Sequence, residues 1–364
     1  MLRLRHDPVV AIVGATGAVG REMLAILDAR AFPVSRLRLF ASPRSVGLKI
    51  PFRGSEIACE ALEHGVPSDV DLALFSAGKS ISLEWAPKFR ALGSLVIDNS
   101  SAFRAEPTCP LVVPEVNAHA LDAVDLPAII ANPNCSTIIA LVAVTPIHRA
   151  LGVERMVAAT YQAASGAGAA AMAELESQAH AFAQGAPFDT RIFGRQYLFN
   201  VFSHNSAVGV DGSNEEERKL LTETRRIWAS DSVRVGATCV RVPTLRAHAE
   251  ALHLELARET SEEEVRALLS NAPGVRVLDD RAANRFPEPL DAAGHDDVLV
   301  GRIRMDTSVP GNRGVALFVC GDQIRKGAAL NAVQIAEHFL PDRTHARAAI
   351  GVAAAASASH PCSR

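Results

Sequence analysis

Near the start of the chain the apolar residues gather in one unbroken run, Val9-Val10-Ala11-Ile12-Val13. Such a run reads as a strand of a parallel sheet, buried on both faces. A glycine-rich segment, Gly14 to Gly20, follows it. The pattern then becomes helical over Glu22 to Ala29, with Met23, Leu24 and Leu27 on one face. Short apolar runs at Leu37 to Phe40, Leu72 to Phe75, Leu95 to Asp98 and Ala128 to Ala131 predict further strands. Strands that alternate with helical stretches indicate a doubly wound α/β sheet.

After about residue 150 the rhythm changes. Longer strands are predicted over Met156 to Tyr161, Val233 to Val242, Ala249 to Ala257 and Val298 to Met305, with another at Val315 to Val319. His253-Leu254-Glu255-Leu256-Ala257 alternates polar and apolar, as a half-exposed antiparallel strand does. Helices are predicted over Gly168 to Phe182, Glu215 to Trp228 and Ser261 to Leu269. These elements describe a second, α+β domain. A last helix is predicted over Gly327 to Phe339, with Ala329, Leu330, Val333 and Ile335 as its apolar positions. The tail over 341–364 is rich in Ala and Ser, lacks aromatics and is expected to be disordered.

A length of 364 residues accommodates two such domains, and 48% hydrophobic with 21% charged residues is ordinary for a globular protein. A net charge of -3 gives no footprint for nucleic acid or an anionic membrane. The six cysteines are scattered without a C-x-x-C pair, which suits reduced thiols rather than a disulfide frame. No Cys/His spacing suggests a metal. Met1 to Pro8 is too short and basic for a signal peptide, and no apolar run is long enough to span a membrane. A cytoplasmic location is therefore the expectation.

Two local patterns carry chemistry. Gly14, Gly17 and Gly20, with Thr16, Ala18 and Val19 between them, join a predicted strand to a predicted helix. Glycine there lets the backbone approach a pyrophosphate, and the helix start supplies amides and a favourable dipole. After the second strand comes Ala41-Ser42-Pro43-Arg44-Ser45, with no acid for a ribose hydroxyl. Arg44 between Ser42 and Ser45 suits a 2′-phosphate, so NADP is the expected cofactor. The plainer reading of Arg44 is a solvated loop cation. The second pattern is Asn132-Pro133-Asn134-Cys135-Ser136-Thr137, ahead of a long apolar helical run from Ile138 to Leu151. The field at a helix start favours a thiolate, which makes Cys135 a candidate nucleophile. The plainer reading is a small buried core thiol. His248 is the candidate base.

Together these segments resemble the aspartate-β-semialdehyde dehydrogenase family from about Val9 to Leu340. The resemblance rests on Gly14 to Gly20, Asn99-Ser100-Ser101-Ala102-Phe103-Arg104, Val113-Pro114-Glu115-Val116-Asn117 and Asn132 to Thr137. It continues through Thr160 to Gly168, Arg241-Val242-Pro243, Ala247-His248-Ala249-Glu250 and Arg325 to Gln334. It implies a Rossmann-like NADP-binding domain over 1–133, completed by a helix over 326–340 that returns to it. A catalytic and dimerisation domain would occupy 134–325. It implies NADPH-dependent conversion of β-aspartyl phosphate to aspartate semialdehyde and phosphate through a thioester on Cys135, in lysine, methionine and threonine biosynthesis. Gln162 would orient the substrate and nucleophile, and His248 would act as acid and base. Arg241 would grip the substrate carboxylate and Lys219 its phosphate, with Arg104 and Asn134 completing the phosphate pocket. Glu216 would receive the ammonium, with Glu217 as its alternative by a one-residue slip. Ser76, Ala77, Gly78, Ser165 and Gly166 would touch the cofactor, and Asn331 the nicotinamide carboxamide. A homodimer is implied, with a homotetramer left open. Phe202-Ser203-His204-Asn205 follows one subgroup of the family, and Ala249 stands where Ser is common. The rival readings are an N-acetyl-γ-glutamyl-phosphate reductase, a glyceraldehyde-3-phosphate dehydrogenase, and a weakly active paralogue that works as a binding protein.

Overall fold

A strand that is apolar along its whole length needs cover on both faces, and β1 (Val9–Val13) obtains it at the centre of a seven-stranded sheet. The computed structural model describes residues 3–341. The chain divides into two compact units. The first is built on the chain up to Thr16, on Gly20–Asn132 and on the chain from Leu330; the second on Gly17–Val19 and Pro133–Ala329.

The sheet of the first unit also contains β2 (Arg36–Phe40), β3 (Lys49–Phe52), β4 (Ser55–Glu60), β5 (Leu72–Phe75), β6 (Leu95–Asp98) and β7 (Ile129–Ala131). Its order is β3-β4-β2-β1-β5-β6-β7. All neighbours are parallel except the β3–β4 hairpin. The chain leaves β1 towards β2 on one side and later returns to β5 on the other. The strand order thus reverses beside β1, where doubly wound sheets open a ligand crevice. Phe89, from the helix Lys79–Ala91, packs edge-on against Phe40 and Phe75, with ring centroids 6.0 and 5.4 Å apart. The β3–β4 hairpin was not expected, because Pro51 interrupts its first strand. Its turn is set by Arg53 and Gly54, both at positive φ. The first helix begins earlier than its apolar periodicity indicates, at Ala18.

The sheet of the second unit holds β8 (Val153–Gln162), β9 (Phe202–Ser203), β10 (Arg234–Arg241), β11 (His248–Leu256), β12 (Val275–Val277), β13 (Val298–Met305) and β14 (Gly314–Gly321). Its order is β12-β13-β14-β11-β8-β10-β9. The sheet is mixed, with β11 antiparallel to both neighbours and β8 parallel to β10. The helix Cys135–Leu151 is buried along most of its length and packs on β11, β14, β13 and β8. Gly321 is needed at that contact, since a Cβ there would lie 2.8 Å from Ile139.

The last helix opens with a π-turn, Arg325–Ala329, before becoming regular over Leu330–His338. The amides of Gly327 and Ala329 reach back five residues to the carbonyls of Asp322 and Ile324, each at 3.0 Å. Periodicity alone does not reveal such a turn. Leu330–His338 packs within the first unit against β6 and the short helix Pro114–Asn117. From residue 342 onward the tail expected to be disordered lies outside the described residues. Among the described residues no helix is long and apolar enough to cross a membrane. Nor, among them, is any group of His, Cys, Asp and Glu gathered as metal ligands.

Candidate active site

Strand register in the second unit brings distant residues into one row. Arg241 ends β10 opposite Gln162, which ends β8. Ala249 of β11 lies opposite Tyr161, so His248 stands beside Gln162. Register-matched side chains share a sheet face, so Arg241, Gln162 and His248 project together.

The nucleophile candidate is placed by a helix cap. Asn134 is the N-cap of Cys135–Leu151, and its Oδ1 accepts the amides of Ser136 and Thr137 at 3.0 and 3.3 Å. Cys135 is thereby the first helical residue, partly exposed, among positive amide ends. A Cβ on residue 327 would sit 2.8 Å from the Cβ of Cys135, so glycine is required there. The Asn134 amide N–H donates to Glu223 at 2.6 Å.

Glu216 is the anionic centre. Its Oε1 accepts from Asn134 Nδ2 at 2.7 Å and Gln162 Nε2 at 3.2 Å, and Lys219 Nζ lies 3.4 Å from Oε2. Burial works to raise its carboxyl. The charge His204 takes up in acid, the Lys219 ammonium and the two amides outweigh that and hold it down at about 2. Glu217 has a different duty. It closes the capping box of Glu215–Trp228 with Asn214, and its Oε1 accepts the Cys239 amide at 3.1 Å.

His248 is fully buried, and its Nδ1 accepts the Ala163 amide N–H at 3.1 Å. Burial, then the nearby Arg241 charge, pushes it down to about 3. The neutral ring therefore carries its proton on Nε2, which has no partner among the described residues. It presents a donor in this form. A base would need Nε2 free of its proton, and so the Ala163 contact given up.

Arg241 is 4% exposed, and burial lowers its pKa. Its Nε, Nη1 and Nη2 donate to Asn205 Oδ1 at 3.3 Å, Ala163 O at 3.2 Å and His204 Nε2 at 2.7 Å. Gly166 borders Arg241 and His248. A Cβ on it would lie 2.9 Å from Arg241 Nη1 and 3.0 Å from the His248 ring. The adjacent Ser165 accepts a short hydrogen bond from Gln323, whose Oε1 accepts the Ala247 amide at 2.9 Å.

The glycine-rich segment begins at the end of β1. Gly14 has φ +92°, and a Cβ there would lie 2.3 Å from the Ser76 carbonyl oxygen. A Cβ on Gly20 would lie 2.3 Å from the Gly14 carbonyl oxygen. Gly14 thus abuts Ser76-Ala77 at the point where the strand order reverses, and Gly78 caps the helix Lys79–Ala91 with φ 91°. This backbone cradle, which a side chain would fill, fits a pyrophosphate. Ser42 and Arg44 are exposed in the turn after β2, and Ser45 is half-buried there. Arg44 makes no ion pair among the described residues, so its charge is available to a phosphate.

Two expected residues are committed within the first unit. Arg104 Nη2 donates to the Asn99 carbonyl at 2.8 Å. Asn331 is fully buried and donates to Val112 O at 2.9 Å and Asn132 Oδ1 at 2.7 Å. Its two amide hydrogens are thus engaged inside the unit. Sequence reasoning passed over Glu223, Gln323 and the roles of His204 and Asn205. Glu223 could have been found, since it stands two helical turns after Glu216 on the same face.

Comparison with known proteins followed the same two-part division. The family described as "Semialdehyde dehydrogenase, NAD binding domain" matches residues 9–124, and "Semialdehyde dehydrogenase, dimerisation domain" matches residues 144–326. The aspartate-semialdehyde dehydrogenase of Synechocystis sp. is 50% identical over 328 residues, 90% of this chain and 96% of that protein. The Aquifex aeolicus protein of the same name is 48% identical over 330 residues, again 90% and 96%. The crystal structure of aspartate semialdehyde dehydrogenase II from Vibrio cholerae, complexed with ASA, superposes with a TM-score of 0.88 at 43% identity. It covers 93% of this chain and 99% of its own.

Proposed function

The chain belongs to the aspartate-semialdehyde dehydrogenases of the semialdehyde dehydrogenase family, and from that membership we propose how its own residues perform the reaction. The enzyme interconverts β-aspartyl phosphate and aspartate semialdehyde, on the route from aspartate to lysine, methionine and threonine. The observation that carries this reading is a pair of opposite charges. Glu216 is buried and ionised, and Arg241 is buried with uncharged acceptors only. An α-amino acid offers an ammonium to the first and a carboxylate to the second.

In the reductive direction the Cys135 thiolate attacks the acyl carbon. The C–S bond forms, the C–O bond to phosphate breaks, and phosphate leaves with the electron pair. Lys219 and Asn134 are assigned to that phosphate. Gln162 orients the acyl group. When bound, the nicotinamide dinucleotide supplies the hydride that reduces the thioester. His248 then donates its Nε2–H to the oxygen on which negative charge builds. Collapse of this thiohemiacetal oxyanion, held by the Nε2–H hydrogen bond, breaks the C–S bond, releases the aldehyde and restores the Cys135 thiolate. In the oxidative direction the hydroxyl proton must pass to His248, which requires the Nε2 lone pair and a turn away from Ala163.

Gly14, Thr16, Gly17, Ala18 and Val19 are assigned to the dinucleotide with Ser76, Ala77 and Gly78. Arg44, with Ser42 and Ser45, is assigned to the 2′-phosphate of NADP. The matched dimerisation domain supports a homodimer, and the cytoplasm is the proposed compartment. The test is reduction of NADP with aspartate semialdehyde and phosphate, run beside N-acetylglutamate semialdehyde. An acetylated nitrogen cannot pair with Glu216, so equal or faster turnover of the acetylated aldehyde would overturn the reading.

A further inference from the structure

Arg241 is held in an unusual way for a buried cation. Each hydrogen-bond acceptor around it is uncharged, and among the described residues no ion pair includes it. Its shortest contact is to His204, at 2.7 Å. Guanidinium can only donate, so His204 Nε2 must accept and carries no proton. The ring's one proton is then on Nδ1, which lies 3.0 Å from Ser206 Oγ. The Ser206 amide, at 3.2 Å, also points at Nδ1. A neutral ring cannot accept at both nitrogens. The charge-assisted and shorter contact to Arg241 decides between them. Ser206 Oγ in turn accepts the Glu216 amide N–H at 3.2 Å. A continuous path therefore joins Arg241, His204, Ser206 and the backbone of Glu216. The strand β9 fixes its start, because Phe202 and Ser203 pair with β10 and the His204 amide donates to Cys239 O at 2.8 Å.

We propose that His204 and Ser206 form an uncharged bridge that positions Arg241 against Glu216, spacing the cation and the anion for the carboxylate and ammonium of one α-amino acid. The inference rests on the proposed reaction and adds positioning residues to it. An acceptor without charge is what this place needs. A carboxylate at position 204 would orient the guanidinium equally well but would neutralise it, leaving less charge for the substrate. Burial and the charge of Arg241 push His204 down to about 4, which keeps the ring uncharged at neutral pH.

Four variants test the bridge in the full-length enzyme: His204→Leu removes the acceptor, His204→Gln restores one, His204→Glu supplies a charged one, and Ser206→Ala cuts the link to the Glu216 amide. Expected KM for aspartate semialdehyde rises about tenfold in His204→Leu and at least as much in His204→Glu, and no more than about threefold in His204→Gln. KM for NADP should stay unchanged throughout. Preference over succinic semialdehyde, which lacks the ammonium, should fall in His204→Leu and Ser206→Ala. Equal losses in the Leu and Gln variants, or none in His204→Leu, would overturn the proposal. Imidazole nitrogen NMR of the wild-type protein reads the tautomer without turnover, and a proton on Nε2 of His204 would also overturn it. Should the wild-type enzyme fail to oxidise aspartate semialdehyde, the reaction assignment fails, while the NMR result still decides the bridge.

Discussion

Adding one methyl group at Gly166 should disable the site while leaving the fold intact. Gly166 has no left-handed φ, so alanine meets no backbone strain there. Its Cβ would sit 2.9 Å from Arg241 Nη1 and 3.0 Å from His248 Cε1 and Nε2. Ordinary contacts of this kind are roughly 3.5 Å or more, so a shift of about half an ångström or more is forced. Neither neighbour can withdraw freely. The guanidinium is tied to Ala163 O at 3.2 Å and the imidazole to the Ala163 amide at 3.1 Å. Misplacing reacting groups by about 1 Å costs on the order of a hundredfold. We therefore expect Gly166→Ala to lower kcat/KM for aspartate semialdehyde by about 10² fold, or ~2.7 kcal/mol in the barrier. The thermal midpoint should move by only a few degrees, roughly what a surface change produces. Initial rates with varied aldehyde, phosphate and NADP, beside a melting curve, give the answer. Retention of a third of the activity would refute the crowding argument. A loss seen only in KM for NADP would also refute it, and would leave Gly166 a cofactor residue alone.

The remaining expectations concern single groups. Cys135→Ser should lower turnover by at least about 10³ fold, because the hydroxyl stays protonated, while NADP affinity measured by fluorescence stays near wild type. Arg44→Ala should weaken NADP by about tenfold and NAD hardly at all; equal losses for both would make Arg44 a structural residue. Arg241→Lys should lower kcat/KM by about 10² fold although charge is kept, since an ammonium cannot match two parallel acceptors, and near-normal activity would refute the clamp. Acid should destabilise the protein before its carboxylates titrate. His248 at about 3 and His204 at about 4 lie below the ordinary 6.5, so between 6.5 and those values the unfolded chain binds protons that the native one does not. Stability from these groups is thus full above 6.5 and lost as pH falls, by at most ~1.4 kcal/mol per pH unit for each histidine. His204→Gln should flatten the thermal midpoint against pH across that window, and an unchanged slope would show that His204 is already charged.

The strands were legible because burial on one or two faces writes itself into the order of residues. Val298 to Met305 coincides with β13, and Val9 to Val13 with β1. What could not be read had no apolar period to reveal it. Lys49 to Glu60 alternates weakly and carries Pro51, so its hairpin was silent. The π-turn at Arg325–Ala329 differs from a helix only in hydrogen-bond spacing. Within the site, Cys135 was visible as a thiol at a helix start, while the cap formed by Asn134 was not. The division of labour between Glu216 and Glu217 was not, because adjacent acids at a helix start look alike. It becomes evident only when Glu217 is seen to close the capping box. Residues joined by strand register, such as Arg241 and Gln162, cannot be paired from sequence separation at all. There the family resemblance supplied roles that periodicity could not.

The contrast between the two charged centres has a physical logic. Glu216 is surrounded by amide donors and by Lys219, which keep it ionised although it is almost fully buried. Arg241 is surrounded by acceptors that carry no charge. A direct ion pair between the two would have been the simpler way to bury them, but it would leave neither available to a ligand. Holding them apart leaves Arg241 with uncharged acceptors only, and Glu216 with Lys219 at 3.4 Å and room for a second donor. An amino acid engages both at once. A ligand with only a carboxylate satisfies Arg241 and adds nothing to the Lys219 contact of Glu216. Specificity of this kind is expected to act on binding and turnover together, because in the proposed reaction the same two anchors aim the carbonyl at Cys135.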